Sequence, residues 1–218
     1  MEGGTKWDVV QCFATKGTLS FQNSPDFIGG ASLGFVVNPY VSLEIGAYVH
    51  QLNNRYQFKL DGVRWLNEEI FLPAQFLQFP FRLRTKLFTI NDLFYIEPYL
   101  GVSFLLHRHQ TGNYELHTQQ TMIDDPSFNA VFSYVYAARL QSNYAVLGEA
   151  GVSMRYQVSK YFSASLSFGF TVGASTIHEA NVTWERDLPA FQDEGWLNAQ
   201  YKGDYFSLNL GVQCIFNQ

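Results

Sequence analysis

The segment Phe206–Phe216, near the C-terminus, alternates between apolar residues and small or polar ones. The apolar positions are Phe206, Leu208, Leu210, Val212, Cys214 and Phe216, with Ser207, Asn209, Gly211 and Gln213 between them and Ile215 as the exception. A period of two residues is typical of a β-strand whose two faces meet different surroundings. In a soluble protein the apolar face packs on a core, whereas in a membrane barrel it meets lipid and the polar face lines the lumen. The segment therefore predicts a β-protein whose apolar face meets either a core or a membrane.

Length and composition narrow this choice. The chain has 218 residues, which suits one all-β domain or two small domains, and we expect residues 1–218 to form a single domain. No run of 18 apolar residues occurs, which argues against a transmembrane helix. Alternating membrane strands are compatible with the mean hydropathy of −0.09, and the aromatic content of 17% suits two interfacial girdles. The formal net charge of −5 argues against nucleic acid as a partner.

The alternation predicts eight strands joined by short and long connections in turn. The strands are about Lys6–Thr15, Phe27–Val37, Val41–Gln51 or as far as Phe58, Phe71–Phe88, a fifth from Phe94, a sixth to Gln157, a seventh from Tyr161 and an eighth to Phe216. Tight turns are predicted at Asn38–Tyr40, Thr89–Asp92 and Ser159–Lys160, and long connections at Lys16–Asp26, Asn53–Ile70, His109–Gln141 and His178–Gln200. This order places the short turns and both termini at one end, as in transmembrane barrels, and a soluble sandwich gives no reason for it. We predict an all-β fold, an eight-stranded antiparallel up-and-down transmembrane β-barrel with short periplasmic turns and long extracellular loops, in the bacterial outer membrane.

The faces of single strands agree with a narrow barrel. The residues predicted to face lipid are Val41, Leu43, Ile45, Ala47 and Val49 in the third strand and Phe162, Ala164, Leu166, Phe168, Phe170 and Val172 in the seventh. The alternate residues, such as Glu44 and Ser167, are predicted to face the lumen. The first strand fits worst, because Gln11 falls among its apolar positions. Aromatic residues beside the short turns are interpreted as an interfacial girdle, although Tyr and Phe are also common in strands generally: Trp7, Tyr40, Phe94, Tyr95, Tyr161 and Phe216.

Charged residues of both signs fall on the predicted lumen face. They are Glu44, Arg82, Arg84, Lys86, Glu97, Glu149 and Arg155. Isolated charges inside a narrow barrel are costly, so we expect them to pair. Eight strands leave room for side chains only, which favours an ion-pair network that plugs the lumen over a gated channel or a charged relay. We predict no catalytic residue, no metal site and no cofactor.

Other polar residues give weaker patterns. His107 and His109 share a face near the predicted outer rim, with His117 in the following loop, and no Cys or carboxylate completes a metal set. Ser133 and Ser142 lie near the same rim, with His107 or His178 as bases for a Ser–His pair whose geometry nothing in the sequence fixes. The loop acids Asp124, Asp125, Asp187, Asp193 and Glu194 lack the spacing of an EF-hand, and solvated turns are the preferred interpretation.

The two cysteines are far apart in the sequence. Cys12 and Cys214 fall in the first and last strands, which are neighbours in a closed barrel. Their parity places Cys12 inward and Cys214 outward, which disfavours a disulfide, and neither has a metal or redox spacing. The N-terminal Met1-Glu2-Gly3-Gly4 has neither the basic nor the apolar region of a signal peptide, and we expect one to precede this sequence.

Two groups of residues resemble known outer-membrane barrels. The last strand resembles the assembly signal that ends many of them, with Asn209, Gly211, Cys214 and Phe216 in its polar, glycine, apolar and aromatic positions and Asn217-Gln218 as an extra tail. The strand Phe71–Arg84, which contains Pro80 and Arg82, and the later Pro98-Tyr99-Leu100-Gly101 are similar to the PorT-like family of small, OmpA-like barrels from Bacteroidota. This resemblance implies an outer-membrane location and an accessory or unknown role.

The expected function is therefore non-enzymatic: a membrane scaffold, or an accessory subunit that docks another outer-membrane or surface protein. A strand-like pattern continues through Gly112–Met122 and Asn129–Leu140, so we predict a hairpin that projects beyond the lipid and offers a sheet edge for docking. The predicted docking residues are Phe132, Tyr134, Tyr136, Trp65, Trp184 and Trp196. Two alternatives are a soluble lipocalin-like binder of an apolar ligand, whose entry Gly4–Trp7 approximates, and an outer-membrane lipid-modifying enzyme.

Overall fold

The computed structural model of the protein describes residues 1–14, 18–22, 25–59, 70–91, 93–108, 114–125, 128–188 and 191–214. In chain order the strands of these residues are β1 (Glu2–Ala14), β2 (Thr18–Gln22), β3 (Asp26–Asn38), β4 (Val41–Lys59), β5 (Ile70–Thr85), β6 (Phe88–Ile90), β7 (Phe94–His107), β8 (Tyr114–Asp125), β9 (Phe128–Leu140), β10 (Tyr144–Gln157), β11 (Phe162–Gly173), β12 (His178–Leu188) and β13 (Phe191–Cys214). Within the described ranges, no helix is long and apolar enough to cross a membrane.

Eight of these strands close into a barrel. Strands β1, β3, β4, β5, β7, β10, β11 and β13 pair in this order, each antiparallel to the next, and β1 pairs with β13 to complete the ring. The order follows the chain, so the predicted eight-stranded up-and-down barrel is confirmed. Its short turns and its first residue lie at one end, where the Met1 amino group donates a hydrogen bond to the Val212 carbonyl oxygen at 2.8 Å.

The predicted tight turns at Asn38–Tyr40 and Ser159–Lys160 lie where the sequence predicts them. The Asn38 side-chain oxygen accepts hydrogen bonds from the backbone amides of Tyr40 and Val41 at 2.8 and 2.9 Å, and the Ser159 hydroxyl oxygen accepts from Tyr161 and Phe162. Such local side-chain bonds satisfy amides that no strand partner reaches.

The predicted fourth strand is interrupted between β5 and β6. The amide of Lys86 donates to Tyr40 and that of Leu87 donates to Ile96, so the chain changes its partner from β4 to β7 at this point. The prediction of one strand to Phe88 was wrong because alternation alone does not reveal a change of partner. The turn that follows includes Asn91, whose φ of 51° is a left-handed conformation that Asn tolerates.

The long connections are largely strands instead of loops. We call β8, β9, β12 and residues 191–201 of β13 the extracellular sheet, because they pair in the order β13-β12-β9-β8 beyond the barrel. On the other side of the mouth, β2 pairs with the outer end of β4. Strand β13 therefore belongs to both the barrel and the extracellular sheet. It changes its partner from β11 to β12 around Gly203, whose φ of 89° requires a residue without a Cβ atom.

The outside of the barrel is an apolar belt. Every second residue of β11 from Phe162 to Val172 is exposed, and the residues between them are buried or half-buried, as predicted. The inward and outward faces predicted for β4 agree with the structure in the same way. Exposed apolar residues continue around the ring, including Leu33, Phe81, Leu100, Val152, Phe168 and Leu210. An apolar belt of this continuity requires hydrocarbon around it.

Strand β1 has the irregularity that its sequence indicates. Its pairing with β13 shifts between Asp8 and Val10, and Gln11 is exposed on the outer side. Cys12 is opposite Ala199 in this register, while the exposed Cys214 lies 15 residues further along β13. At about 3.3 Å per residue this separation is roughly 50 Å, which excludes a disulfide within one chain.

We expect Leu166→Arg to destabilise the barrel by about 2–4 kcal/mol, because Leu166 is exposed midway along the lipid-facing side of β11. The matched control is Val172→Arg at the outer end of the same face, where the cost should be about 0–1 kcal/mol. Urea unfolding in lipid vesicles measures both. Equal costs for the two variants, or a wild-type chain that stays folded and monomeric in plain buffer, would contradict the membrane assignment.

Candidate functional site

A row of buried ion pairs crosses the lumen. The Arg82 guanidinium lies between two carboxylates, with Nη1 3.0 Å from Glu44 Oε1 and Nε 2.5 Å from Glu149 Oε2. Arg84 binds the same Glu44 with Nε 2.7 Å from Oε2, and its Nη2 is 3.7 Å from Glu2 Oε1. Acids and bases thus alternate from Glu149 to Glu2, so each buried charge has an opposite charge beside it.

Strand register brings these groups together. Glu44 is opposite Arg82, Arg82 is opposite Gly101, and Gly101 is opposite Glu149, so the four residues form one row across β4, β5, β7 and β10. A Cβ atom on Gly101 would lie 2.5 Å from the Phe81 carbonyl oxygen and 2.9 Å from Arg82 Cγ. The glycine therefore leaves the space through which Arg82 reaches a carboxylate two strands away.

Aromatic rings fill the rest of this layer. The Arg82 guanidinium carbon lies 5.2 Å from the ring centres of Tyr48 and Tyr99, a cation–π distance. Tyr99 extends over Gly151 and Gly169, where an added Cβ atom would lie 2.4 Å from its phenol group. A large inward ring on β7 therefore lies over glycines on the next two strands of the wall.

Neutral polar groups complete the bonding of Glu149. Gln78 Nε2 donates to Glu149 Oε1 at 2.6 Å, Ser103 donates to the same oxygen, and the Tyr205 hydroxyl donates to Gln78 Oε1 at 2.7 Å. Tyr48 donates similarly to Glu2 at 2.8 Å. The sequence analysis missed these residues, although all of them stand at inward positions of their strands.

The remaining predicted lumen charges lie apart from the row of ion pairs between Glu149 and Glu2. Arg155 Nη2 is 2.6 Å from Glu97 Oε2, closer to the short turns. Lys86 lies beyond the end of β5, with Nζ 4.0 Å from the centre of the Tyr95 ring. The structure thus places Glu44, Arg82, Arg84 and Glu149 in one cluster, Glu97 and Arg155 in a second, and Lys86 outside both.

A further charged group was not predicted. Lys6 and Asp8 form a buried ion pair on β1, and the Tyr201 hydroxyl donates to Asp8 Oδ1 at 2.9 Å. Both residues are buried, and Asp8 lies directly before the shift in the pairing of β1 with β13.

The outer end of the lumen is apolar. Eight residues pack there with almost no exposure: Leu52, Ala74, Phe76, Leu105, Ala145, Leu147, Ile177 and Tyr201. Ile177 comes from the link between β11 and β12, and its backbone is bonded to Tyr201 and Gln141, each at 2.8 Å. At this level the inward residues of the strands form an ordinary apolar core.

The predicted assembly signal lies on the last strand as expected from its pattern. Asn209 and Gly211 are buried, Cys214 is exposed, and Phe216 lies outside the described residues.

Ser142, proposed for a Ser–His pair, donates its hydroxyl to the Tyr144 carbonyl oxygen at 2.6 Å in a local turn. The side chain of Ser133 lies outside the description.

The predicted docking residues fall mainly in the extracellular sheet. Tyr134 is opposite Trp184, Phe132 is opposite Arg186, and Tyr136 is opposite Val182 in the pairing of β9 with β12. Trp196 is exposed and opposite Thr183, one position along from Trp184. Trp65 lies outside the described residues. The segments around Trp184 and Trp196, expected to be loops, are therefore strands.

Comparisons with known proteins concern the fold. The chain is similar to the outer membrane protein OprG from Pseudomonas aeruginosa, with 10% identity, a TM-score of 0.45, and 99% of this chain and 94% of that chain covered. It is also similar to the outer membrane protein AlkL, with 11% identity, a TM-score of 0.40, and 100% and 90% covered. No protein-family model and no curated protein matches it.

The closed sheet, the apolar belt and the sorting of short turns to one end together decide the class of protein. The protein is an outer-membrane β-barrel. The extracellular end is the one that carries the long strands, and the charged layer lies at the depth of the belt.

We expect Arg82→Met to destabilise the barrel by about 3–5 kcal/mol, because it leaves Glu149 buried without its ion-pair partner. The double variant Arg82→Met with Glu149→Gln should cost less than the sum of the two single variants. Urea unfolding of the wild type, the two single variants and the double variant in the same vesicles gives the coupling free energy between Arg82 and Glu149. Strictly additive costs would show that the two groups act independently.

Proposed function

We propose that this barrel is a non-enzymatic outer-membrane protein that docks a partner protein along the open edge of its extracellular sheet. The observation that carries the proposal is that the sheet order of the described residues ends at β8, which pairs with β9 on one side. A long edge strand presents a row of backbone N–H and C=O groups, which proteins either cover or use for strand addition. The accessory role implied by the resemblance to PorT-like barrels belongs to the same proposal.

The charge of the sheet indicates the chemistry of the partner. The four strands contain eight acidic residues and two arginines, which gives a formal charge of −6 in a chain whose total is −5. Glu185 and Glu194 are both exposed and directly opposite each other on β12 and β13. A partner segment that is extended and basic fits this surface, because attraction to its charge raises the rate and specificity of association.

The filled lumen favours docking over conduction. The ion-paired layer from Glu149 to Glu2 and the apolar cluster around Phe76 and Ile177 occupy successive levels of the barrel interior. An eight-stranded barrel of this kind has space for its own side chains and little else. We expect no large, stable single-channel conductance in planar bilayers, and its observation would favour transport.

The docking edge is tested with proline at adjacent positions of β8. Successive backbone amides of a strand point to opposite sides, so in Gln119→Pro and Gln120→Pro one proline removes a donor facing β9 and the other removes a donor facing the open edge. We expect one variant to keep the protease resistance of the sheet yet lose the protein that co-purifies with wild type from native membranes. A partner retained equally by both folded variants would exclude this edge.

The acidic surface is tested by charge reversal. Glu185→Lys with Glu194→Lys should weaken partner binding several-fold and reduce its dependence on salt, because two exposed negative charges are replaced by positive ones. Gln157→Lys, at the short-turn end, is the control with an added positive charge away from the sheet. Binding that responds equally to both changes would contradict an acidic docking surface.

A further inference from the structure

Two histidines meet at the outer mouth of the lumen. His107 is the last residue of β7 and His178 is the first of β12, two strands that are not neighbours in the sheet. Their ring centres are 6.1 Å apart, with an angle of 54° between the ring planes. The contact therefore joins the barrel wall to the extracellular sheet across the mouth.

Both rings are held in place by their surroundings. The Phe76 ring meets the edge of His107 at a centroid distance of 5.2 Å, and the His107 amide donates to Asn143 at 2.8 Å. On the other side, Ile177 enters the apolar cluster directly before His178, and its amide donates to Tyr201 at 2.8 Å. Neither backbone can shift far without disturbing this packing.

The His178 imidazole is suited to act as a metal ligand. The residue is only 7% exposed, and its Nε2 atom has no hydrogen-bond partner among the described residues. Neutral imidazole is the form that binds metal ions.

The separation of the rings is compatible with two ligands at a wide angle on one ion. A metal–nitrogen bond to histidine is about 2.0–2.1 Å and each ring centre lies about 1.1 Å behind its nitrogen, so two such rings have centres roughly 5 Å apart at a tetrahedral angle and roughly 6.3 Å apart on opposite sides of the ion. The observed 6.1 Å is close to the opposite arrangement, which a tetragonal ion provides. We propose that His107 and His178 bind one divalent transition-metal ion of the class that prefers imidazole, such as Zn²⁺, Ni²⁺ or Cu²⁺.

The site has two protein ligands in the described part of the chain, where no group of three or more His, Cys, Asp or Glu residues gathers. Two ligands leave coordination positions open, unlike a closed structural zinc site. A bound ion would tie β7 to β12 and so fix the extracellular sheet on the barrel mouth.

The test uses the full chain, purified in detergent without a histidine tag and stripped of metal. Cu²⁺ alone is titrated and followed by electron paramagnetic resonance, and Zn²⁺ alone by calorimetry. We expect one ion per chain at micromolar affinity, with nitrogen hyperfine structure from at least two imidazoles. His107→Gln and His178→Gln should each weaken binding by at least about tenfold, whereas His117→Gln on β8 should not.

The shift in electrophoretic migration on heating shows whether the barrel of each variant remains folded. The Cu²⁺ spectrum of the wild type shows whether imidazole nitrogens bind the ion, without any substitution. Absence of micromolar binding to the wild type overturns the proposal. It is also overturned by a Cu²⁺ spectrum without imidazole nitrogens, or by binding that folded His107→Gln and His178→Gln retain. Metal binding is measured on the purified chain without a partner, so the docking proposal and the metal-binding proposal can fail independently of each other.

Discussion

A charge buried inside a narrow barrel is poorly solvated, and the ion pairs around Arg82 provide the opposite charges that compensate for this. Arg82 contacts Glu44 on the neighbouring strand and Glu149 two strands away, so one guanidinium joins three strands of the wall. Backbone hydrogen bonds join only adjacent strands, whereas this row acts across the interior. The charged layer therefore fixes the shape of the barrel section as well as neutralising its own members.

The same layer explains where the chain uses its smallest residues. Gly101 lies beneath Arg82, and Gly151 and Gly169 lie beneath Tyr99, each at a distance that excludes a Cβ atom. Interior side chains of a small barrel cannot all be large, so a long residue on one strand requires a glycine on the strand beside it. Among the described residues, long side chains and the glycines beside them thus fill this layer of the lumen.

The barrel could be predicted from sequence because its strands obey a single rule, alternation, over the thickness of a membrane. The faces of β11, from Phe162 to Val172, follow it without exception. The rule fails where strands change partners, as at Lys86 and Gly203, because pairing is set by distant residues. Among the predicted lumen charges, Glu44 and Arg82 form an ion pair because the strand register places them opposite each other. The hydrogen bond from Gln78 to Glu149 could not be predicted, because an amide side chain in an apolar strand can bond to many different partners.

Strand β13 makes the closure of the barrel and the formation of its surface one event. Its inner half pairs with β11 and its outer half with β12, while β1 pairs with both halves on the opposite side. A chain whose last strand is not yet in place thus lacks the support for β12, β9 and β8 as well as the seam of the wall. The extracellular sheet and the closed wall therefore depend on one and the same strand, so a change that displaces β13 removes the support of both.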